Sequence, residues 1–357
     1  MINIEKLKFG ANTLTSFREV FSRNEVFIRW GEDNQFVNEL YLLNDASPIQ
    51  NACVRSKVDN SVGMGYITDY KVNSKETLND IARKLYYEFI TTGNLFLEVV
   101  WKQDRSQGLA GFYVIPSRYI RLGRPEEMGG DVTKYMYCRD WVNWRKAGIV
   151  EFCEFDPNNF TDRQIVHIKQ YQSGYDYYGA PDWLSVINDV RLNHAITVFN
   201  LSNIQNGLSP SLWVHFNMNA PDSQNEQTQI LKSIEDRYMG PENAGRVIVS
   251  YGESEQKPDI TQIQSNVESG YFSNIFELVQ KQIMSGHKII DGSLIGLPNP
   301  GGFTSSSEQL ETTYKLFMNT SVKPLQNFMN REIKPLIELI HPDQEINLVI
   351  QQNQILN

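Results

Sequence analysis

Residues 177–207, YYGAPDWLSVINDVRLNHAITVFNLSNIQNG, separate two kinds of sequence. Between Asp182 and Asn206 there is no Gly or Pro, and Trp183, Val186, Ile187, Val190, Ile196 and Phe199 recur at the helical period. The spacing predicts one long helix, about 37 Å at 1.5 Å per residue, closed by the Asn206-Gly207 cap signature. Downstream, Leu208–Asp259 reads strand, helix, strand (Ser211–Phe216, Ser223–Tyr238, Arg246–Tyr251), a small module set between helices. The capping box Ser265-Asn266-Val267-Glu268 opens a second long helix, with Val267, Tyr271, Ile275, Leu278, Val279 and Ile283 on one face and Gly286 as its end. In Asp291–Thr304 six of fourteen residues are Gly or Pro, so no regular element is expected there. Ser305-Ser306-Ser307-Glu308 starts a third long helix, in which Pro324 should produce a kink near Val322–Lys323 and Pro335 should bend or end the continuation. Glu345–Ile350 reads as a final short strand.

Upstream the pattern is mixed. Leu78–Ile90 has a helical period ended by Thr91-Thr92-Gly93-Asn94, and Leu95–Trp101 with Gly108–Pro116 reads as an antiparallel hairpin. Further strands are expected at Lys134–Cys138 and Ile165–Tyr171. Short, closely spaced strands point to an α+β class with antiparallel sheets rather than a doubly wound one.

With 41% hydrophobic and 21% charged residues, the 357-residue chain suits globular units and excludes a disordered or fibrous one. It contains no apolar run of about 18 residues and its start lacks a secretory pattern, which implies a soluble protein kept in the cytosol. Cys53, Cys138 and Cys153 are too few and too scattered for a disulfide framework or a zinc ribbon, and imply a reducing compartment. The net charge of −9 is unevenly spread: residues 1–150 hold 20 Lys and Arg against 18 Asp and Glu, residues 151–357 hold 13 against 24. An acidic surface repels the phosphate backbone, which argues against sequence-specific DNA recognition.

Catalytic constellations are absent. His167, His194, His215, His287 and His341 show no ligand spacing with a carboxylate, so no metal is expected, and no nucleophile elbow, P-loop or dinucleotide fingerprint occurs. Pro300-Gly301-Gly302-Phe303-Thr304 before a helix start could offer N–H groups to a phosphate, but it lacks a lysine; a loop between two helices is the plainer reading, with aromatic Phe303 its odd feature. Trp213 alternates with its neighbours as in a half-buried strand. Arg118, Arg121, Arg124, Arg139, Arg145 and Lys146, interleaved with Tyr119, Tyr135, Tyr137, Trp141 and Trp144, suggest a subunit interface more than a nucleic-acid surface.

The order of these elements resembles the tailed-bacteriophage portal protein family. The carrying residues are Tyr177–Leu184, similar to the family's G-x-P helix opening; Phe199–Gly207, similar to its helix end; and Met239–Val249, similar to its Gly-x-x-Asn-x-Gly-Lys-Val segment with Arg246 in place of Lys. Ile295–Gln309, Val322-Lys323-Pro324-Leu325, Trp30–Asn34, Ala46–Ile49, Thr92–Glu98 and Val114-Ile115-Pro116 also fit, so the resemblance spans about residues 30 to 340.

The resemblance implies a portal fold: an α+β wing (1–180), stem helices (181–207 and 260–289) flanking an α/β clip (208–259), a tunnel loop (290–304), a kinked helix returning to the wing (305–340), and a C-terminal strand (341–357) with the crown short or absent. Leu297, Asn299, Pro300, Gly301, Gly302 and Phe303 would form the loop and Pro324 the kink. Trp213, Arg237 and Arg246 would serve docking or subunit contact in the clip, and Glu268, Glu277 and Lys288 would be channel-facing candidates. It further implies a ring, typically of twelve subunits, at one capsid vertex of the virion, assembled in the host cytoplasm. Double-stranded DNA would pass through it without sequence specificity, and the terminase large subunit, a head-completion or adaptor protein and the major capsid protein would be partners. No enzymatic activity, cofactor or membrane is implied. The competing readings are a phosphate-handling enzyme using the Gly301-Gly302 turn and a bacterial scaffold protein without DNA.

Overall fold

The computed structural model describes residues 17–127, 129–159, 163–205, 212–216, 223, 225, 228–229, 247–251, 271–297 and 307–353. Contacts divide the chain into one unit of residues 1–191 with 280–357 and another of 192–279.

The first unit begins with a small antiparallel pair, β1 (Glu19–Phe21) and β2 (Ile28–Trp30). Helices α1 (Phe36–Ala46), α2 (Pro48–Val62) and α3 (Leu78–Thr92) follow. α3 starts at a capping box, with Asp80 N donating to Thr77 Oγ1 and Thr77 N to Asp80 Oδ2, and stops at Gly93 in the left-handed region. Then come β3 (Asn94–Trp101), β4 (Leu109–Ile115), β5 (Ile120–Leu122), β6 (Lys134–Tyr137), the single turn α4 (Trp144–Ala147), β7 (Val150–Glu154) and β8 (Gln164–Lys169). They form a six-stranded sheet in the order β4-β3-β8-β7-β6-β5. The expected hairpin is present as β3 and β4, with Phe96 opposite Ile115. The expectation of a purely antiparallel sheet is corrected: β7 and β8 run parallel, over Cys153–Glu154 against Gln164–Ile165.

Helix α5 (Ile187–Gln205) is entered through a 3-10 turn at Asp182–Val186, so the predicted long helix is α-helical only from Ile187. In the second unit, β9 (Leu212–Phe216) pairs in parallel with β10 (Val247–Tyr251), as a strand-helix-strand reading requires. The helix expected over Ser223–Tyr238 and the capping box Ser265–Glu268 lie largely outside the described residues. α6 (Tyr271–Gly286) ends at the predicted glycine, and α7 (Ser307–Phe317) and α8 (Lys323–Ile340) complete the helices. Pro335 does not end α8, which runs on to Ile340. The tail is no sheet strand: it pairs with the segment after α2 through Met64 N to Gln351 O, Ile67 N to Val349 O and one bridge at Tyr66 and Ile350.

The core lies where α8 closes over α3 and the β3–β4 face. Leu85 and Phe89 of α3, Leu97 and Val99 of β3, Phe112 of β4 and Met329, Ile333 and Ile337 of α8 are all buried in one cluster. Burying each such aliphatic side chain is worth about 1.5–3 kcal/mol. Of the arginine and aromatic region, Arg121 does not belong to a surface, while Arg124, Arg139, Arg145 and Lys146 are exposed. Arg121 is fully buried, donating to Asn34 Oδ1 (2.6 Å), Asn34 O (2.8 Å) and Ile120 O (2.7 Å) beneath Trp141. Arg118 lies over the Tyr41 ring and Arg145 over Trp144.

Two motif stretches far apart in sequence meet at glycines. A Cβ on Gly179 would sit on the Gly93 carbonyl oxygen, and one on Gly93, whose φ is +72°, would sit on the Ala180 carbonyl. Buried Asn94 completes the contact: Oδ1 accepts from Gly179 N (2.7 Å), and Nδ2 donates to Gly179 O and Thr92 O (both 2.8 Å). Because that oxygen can only accept, His167 Nε2, 2.9 Å away, carries the proton. Tyr178 stacks on Trp30 and donates to Ile28 O, while Glu19 of β1 accepts from the backbone N–H of Asp176, Tyr177 and Tyr178. Gly179→Ala is expected to lower stability by about 1–3 kcal/mol through overpacking. Asn94→Ala should cost a similar ~1–3 kcal/mol by leaving buried backbone groups unpaired. Denaturant midpoints read both, and unchanged midpoints would show that the contact carries no weight.

Candidate functional site

Helix α2 starts at Ser47-Pro48, where the Ser47 hydroxyl accepts from Gln50 N and Pro48 occupies the first turn. Along it Gln50, Lys57 and Ser61 follow at seven and four residues, so they share a stripe. All three are buried, as is Cys53 on the same stripe. Four segments pack against α2 around this stripe.

The end of α6 is the first. Lys288 N bonds Ser285 O and Ile289 N bonds Met284 O, a Schellman arrangement with Lys288 in the left-handed region at φ +58°. This termination presents fully buried His287, whose Nε2 is 2.8 Å from Gln50 Oε1 and whose ring lies over Trp183. Trp183 Nε1 donates to Ile90 O. The second segment is the start of the expected loop. Asp291 Oδ1 accepts from Ser293 N and Gly296 adopts the left-handed region, bracketing one 3-10 turn at Gly292–Ile295. That turn corrects the expectation of no regular element: an Asp cap and a Gly stop suffice for a single turn. Ser56 Oγ donates to Leu294 O at 2.8 Å, tying the turn to α2.

The third segment carries Asp182. Its Oδ2 is 3.5 Å from Lys57 Nζ and 3.8 Å from Lys288 Nζ, one carboxylate between two ammonium groups. The fourth is the join of α7 and α8, where Met318–Val322 form a π-helical turn and Lys323-Pro324 begin α8. The irregularity thus reaches the expected site at Val322–Lys323 from its N-terminal side. A proline cannot donate to the preceding turn, and a widened turn accommodates the missing bond. Gln326 Nε2 then donates to Ser61 O at 2.9 Å.

Burial pushes the Lys57 ammonium down, with Asp182 opposing, and holds His287 well below its ordinary value, helped by the Lys57 charge. Cys53 is pushed up to about 12 by burial, so it stays a thiol. Nothing here pairs a nucleophile with a base. Among the described residues no group of three His, Cys, Asp or Glu side chains could hold a metal, and no helix is long and apolar enough to cross a membrane. The arrangement is a joint: it fixes the entry of α5, the end of α6, the loop's first turn and the α7–α8 join against one helix.

Of the residues singled out from sequence, Leu297 stands half-buried just past the 3-10 turn, with its N–H on Gly292 O. Pro324 lies at the start of α8, and Lys288 turns towards Asp182. Asn299, Pro300, Gly301, Gly302, Phe303, Arg237, Arg246 and Glu268 lie outside the described residues. Trp213 is on β9 opposite Ile248, and Glu277 is exposed on α6; both belong to residues 192–279. Gln50, Ser56, Lys57, Asp182, His287 and Gln326 were missed. The Ser47-Pro48 cap was the available signal, since it announces α2.

A family model described as phage portal protein matches residues 59–342. No curated protein matches the sequence. The fold is similar to a chain from the virion of a native gene transfer agent (GTA) particle, 15% identical, covering 86% of this chain and 82% of that one with a TM-score of 0.54. It is also similar to a chain from the neck of the native GTA particle computed with C12 symmetry (14% identical, 85% and 81% covered, TM-score 0.54). A third similar chain comes from the neck of the empty particle computed with C6 symmetry (14% identical, 85% and 82% covered, TM-score 0.53).

Neutral burial of His287 gives the joint a signed pH dependence. In the unfolded chain a histidine takes up a proton near about pH 6.5, whereas folded His287 does not. Stability is therefore lost as pH falls below about 6.5, by up to about 1.4 kcal/mol per pH unit for this residue. His167, pushed down to about 3 by burial, adds in the same direction. Denaturation midpoints compared between about pH 7 and pH 5 should fall less steeply for His287→Gln than for the native chain.

Proposed function

Since the chain belongs to the phage portal protein family, we propose that it forms a closed ring of twelve copies at one capsid vertex and works there as a conduit for double-stranded DNA. The portal role itself follows from the family, whose model covers most of the chain. The virion and neck location of the similar GTA chains, and the C12 symmetry of one, support the vertex position and the number twelve. In this reading residues 1–180 are the wing, 181–207 and 260–289 the stem, 208–259 the clip, 290–304 the tunnel loop and 305–340 the kinked helix.

The observation that carries the mechanical part is the joint on α2, where Ser56 anchors the turn leading into the loop and Gln326 of α8 bonds Ser61 O. A loop tied at its upstream root can project Phe303, Pro300 and the Gly301-Gly302 turn inward as a collar. The acidic balance of residues 151–357, 13 cations against 24 anions, suits a wall that duplex DNA slides past, because every fixed cation contact would retard it. Ring closure needs heterologous contacts that return on themselves. Trp213, Arg237 and Arg246 are assigned to docking of the terminase large subunit and then of a head-completion protein, or to subunit contact, the wing to the major capsid protein, and Glu268, Glu277 and Lys288 to the channel. Catalysis is left to the motor, and neither cofactor nor metal is assigned to this chain.

Light scattering after size exclusion, with negative-stain imaging, tests the ring: closed rings are expected, and only monomers or dimers under every assembly condition would overturn it. Replacing Gly301 and Phe303 by alanine should leave rings intact while packaged DNA retention falls. Unchanged retention would reduce the loop to a connector.

A further inference from the structure

Independently of the portal reading, the joint contains a small cavity with polar walls. Lys57, Asp182 and Ser321 line a cavity of about 30 Å³ whose other walls include Phe89, Gly93 and Leu325. An ammonium carries three donors. Among the described residues the acceptor for Lys57 Nζ is Asp182 Oδ2, at a long 3.5 Å, although the side chain is only 5% exposed. Ser321, 7% exposed on the π-helical turn, has a hydroxyl without a partner among the described residues. A buried polar group left unmatched is costly, and Ser321 together with the underused Lys57 ammonium lines the same space.

We propose that this cavity binds a structural water, which accepts from Lys57 Nζ, donates to the Asp182 carboxylate and makes a third bond with Ser321 Oγ. The space suits it: a water needs roughly 10–15 Å³ of such volume and two to four polar partners. A cation is disfavoured by the ammonium and an anion by the carboxylate. Three elements separated in sequence are thereby bridged, since Lys57 belongs to α2, Asp182 to the entry of α5 and Ser321 to the π-helical turn. The water gives that turn its only polar tie to α2 through a side chain of its own, among the described residues. The π-helical register is then fixed by hydration as well as by Pro324.

A high-resolution structure of the assembled protein should show one ordered density within hydrogen-bond reach of both Lys57 Nζ and Ser321 Oγ. An empty cavity would overturn the proposal, as would an anomalous peak there after bromide soaking, which would make it an anion site. A double-mutant cycle gives a second reading. Ser321→Ala should lower the thermal midpoint of the native chain, and at least half of that shift should vanish in a Lys57→Met background. Equal shifts in both backgrounds would mean that the two side chains are not coupled. Lys57→Met preserves side-chain length, and if it fails to fold the density measurement on the native protein decides.

Discussion

Everything in the first unit depends on one close approach of backbone to backbone. Gly93 ends α3 and Gly179 precedes the entry of α5, and neither position has room for a Cβ. Contact at that distance buries amide groups that water can no longer reach, so each needs a partner. Asn94 satisfies them from one side chain, and His167 fills its remaining acceptor site. Because β3 begins at Asn94, the same residue sets where that strand of the sheet starts.

Around this contact two kinds of interface do different work. Where α8 meets α3, β3 and β4 the surfaces are apolar, and burial supplies most of the stability. Where α2 meets the loop root and the π-helical turn the surfaces are polar, and hydrogen bonds such as Ser56 to Leu294 O fix positions more than they add free energy. A buried Lys57 beside Asp182 is weak evidence for stability, because desolvation offsets the attraction.

Much of the element order was legible because it rests on local signals. Period, caps and glycine stops marked α3, α5, the β3–β4 hairpin and the end of α6 at Gly286. Helix α2 was not recognised, since Gln50, Ser56, Lys57 and Ser61 point inward and leave no apolar period. Arg121 misled for a related reason. A guanidinium reads as surface, yet here Asn34 and backbone carbonyls solvate it within the core. The tail misled in the other direction, since its alternating apolar residues suit a strand but meet only a short partner segment at Tyr66.

The sequence by itself determined the class, the family and the irregular points of the chain, because capping, periodicity and proline chemistry act within a few residues. It determined that a loop rich in Gly and Pro follows a long helix, and that Pro324 disturbs the next one. Only the tertiary structure decided that the loop root, the helix end at Lys288 and the turn at Ser321 all rest on one face of α2. It also decided that the disturbance takes the form of a π-helical turn. The physical reason is range: a buried polar side chain is stable only beside its partner, and for Lys57 that partner is 125 residues away.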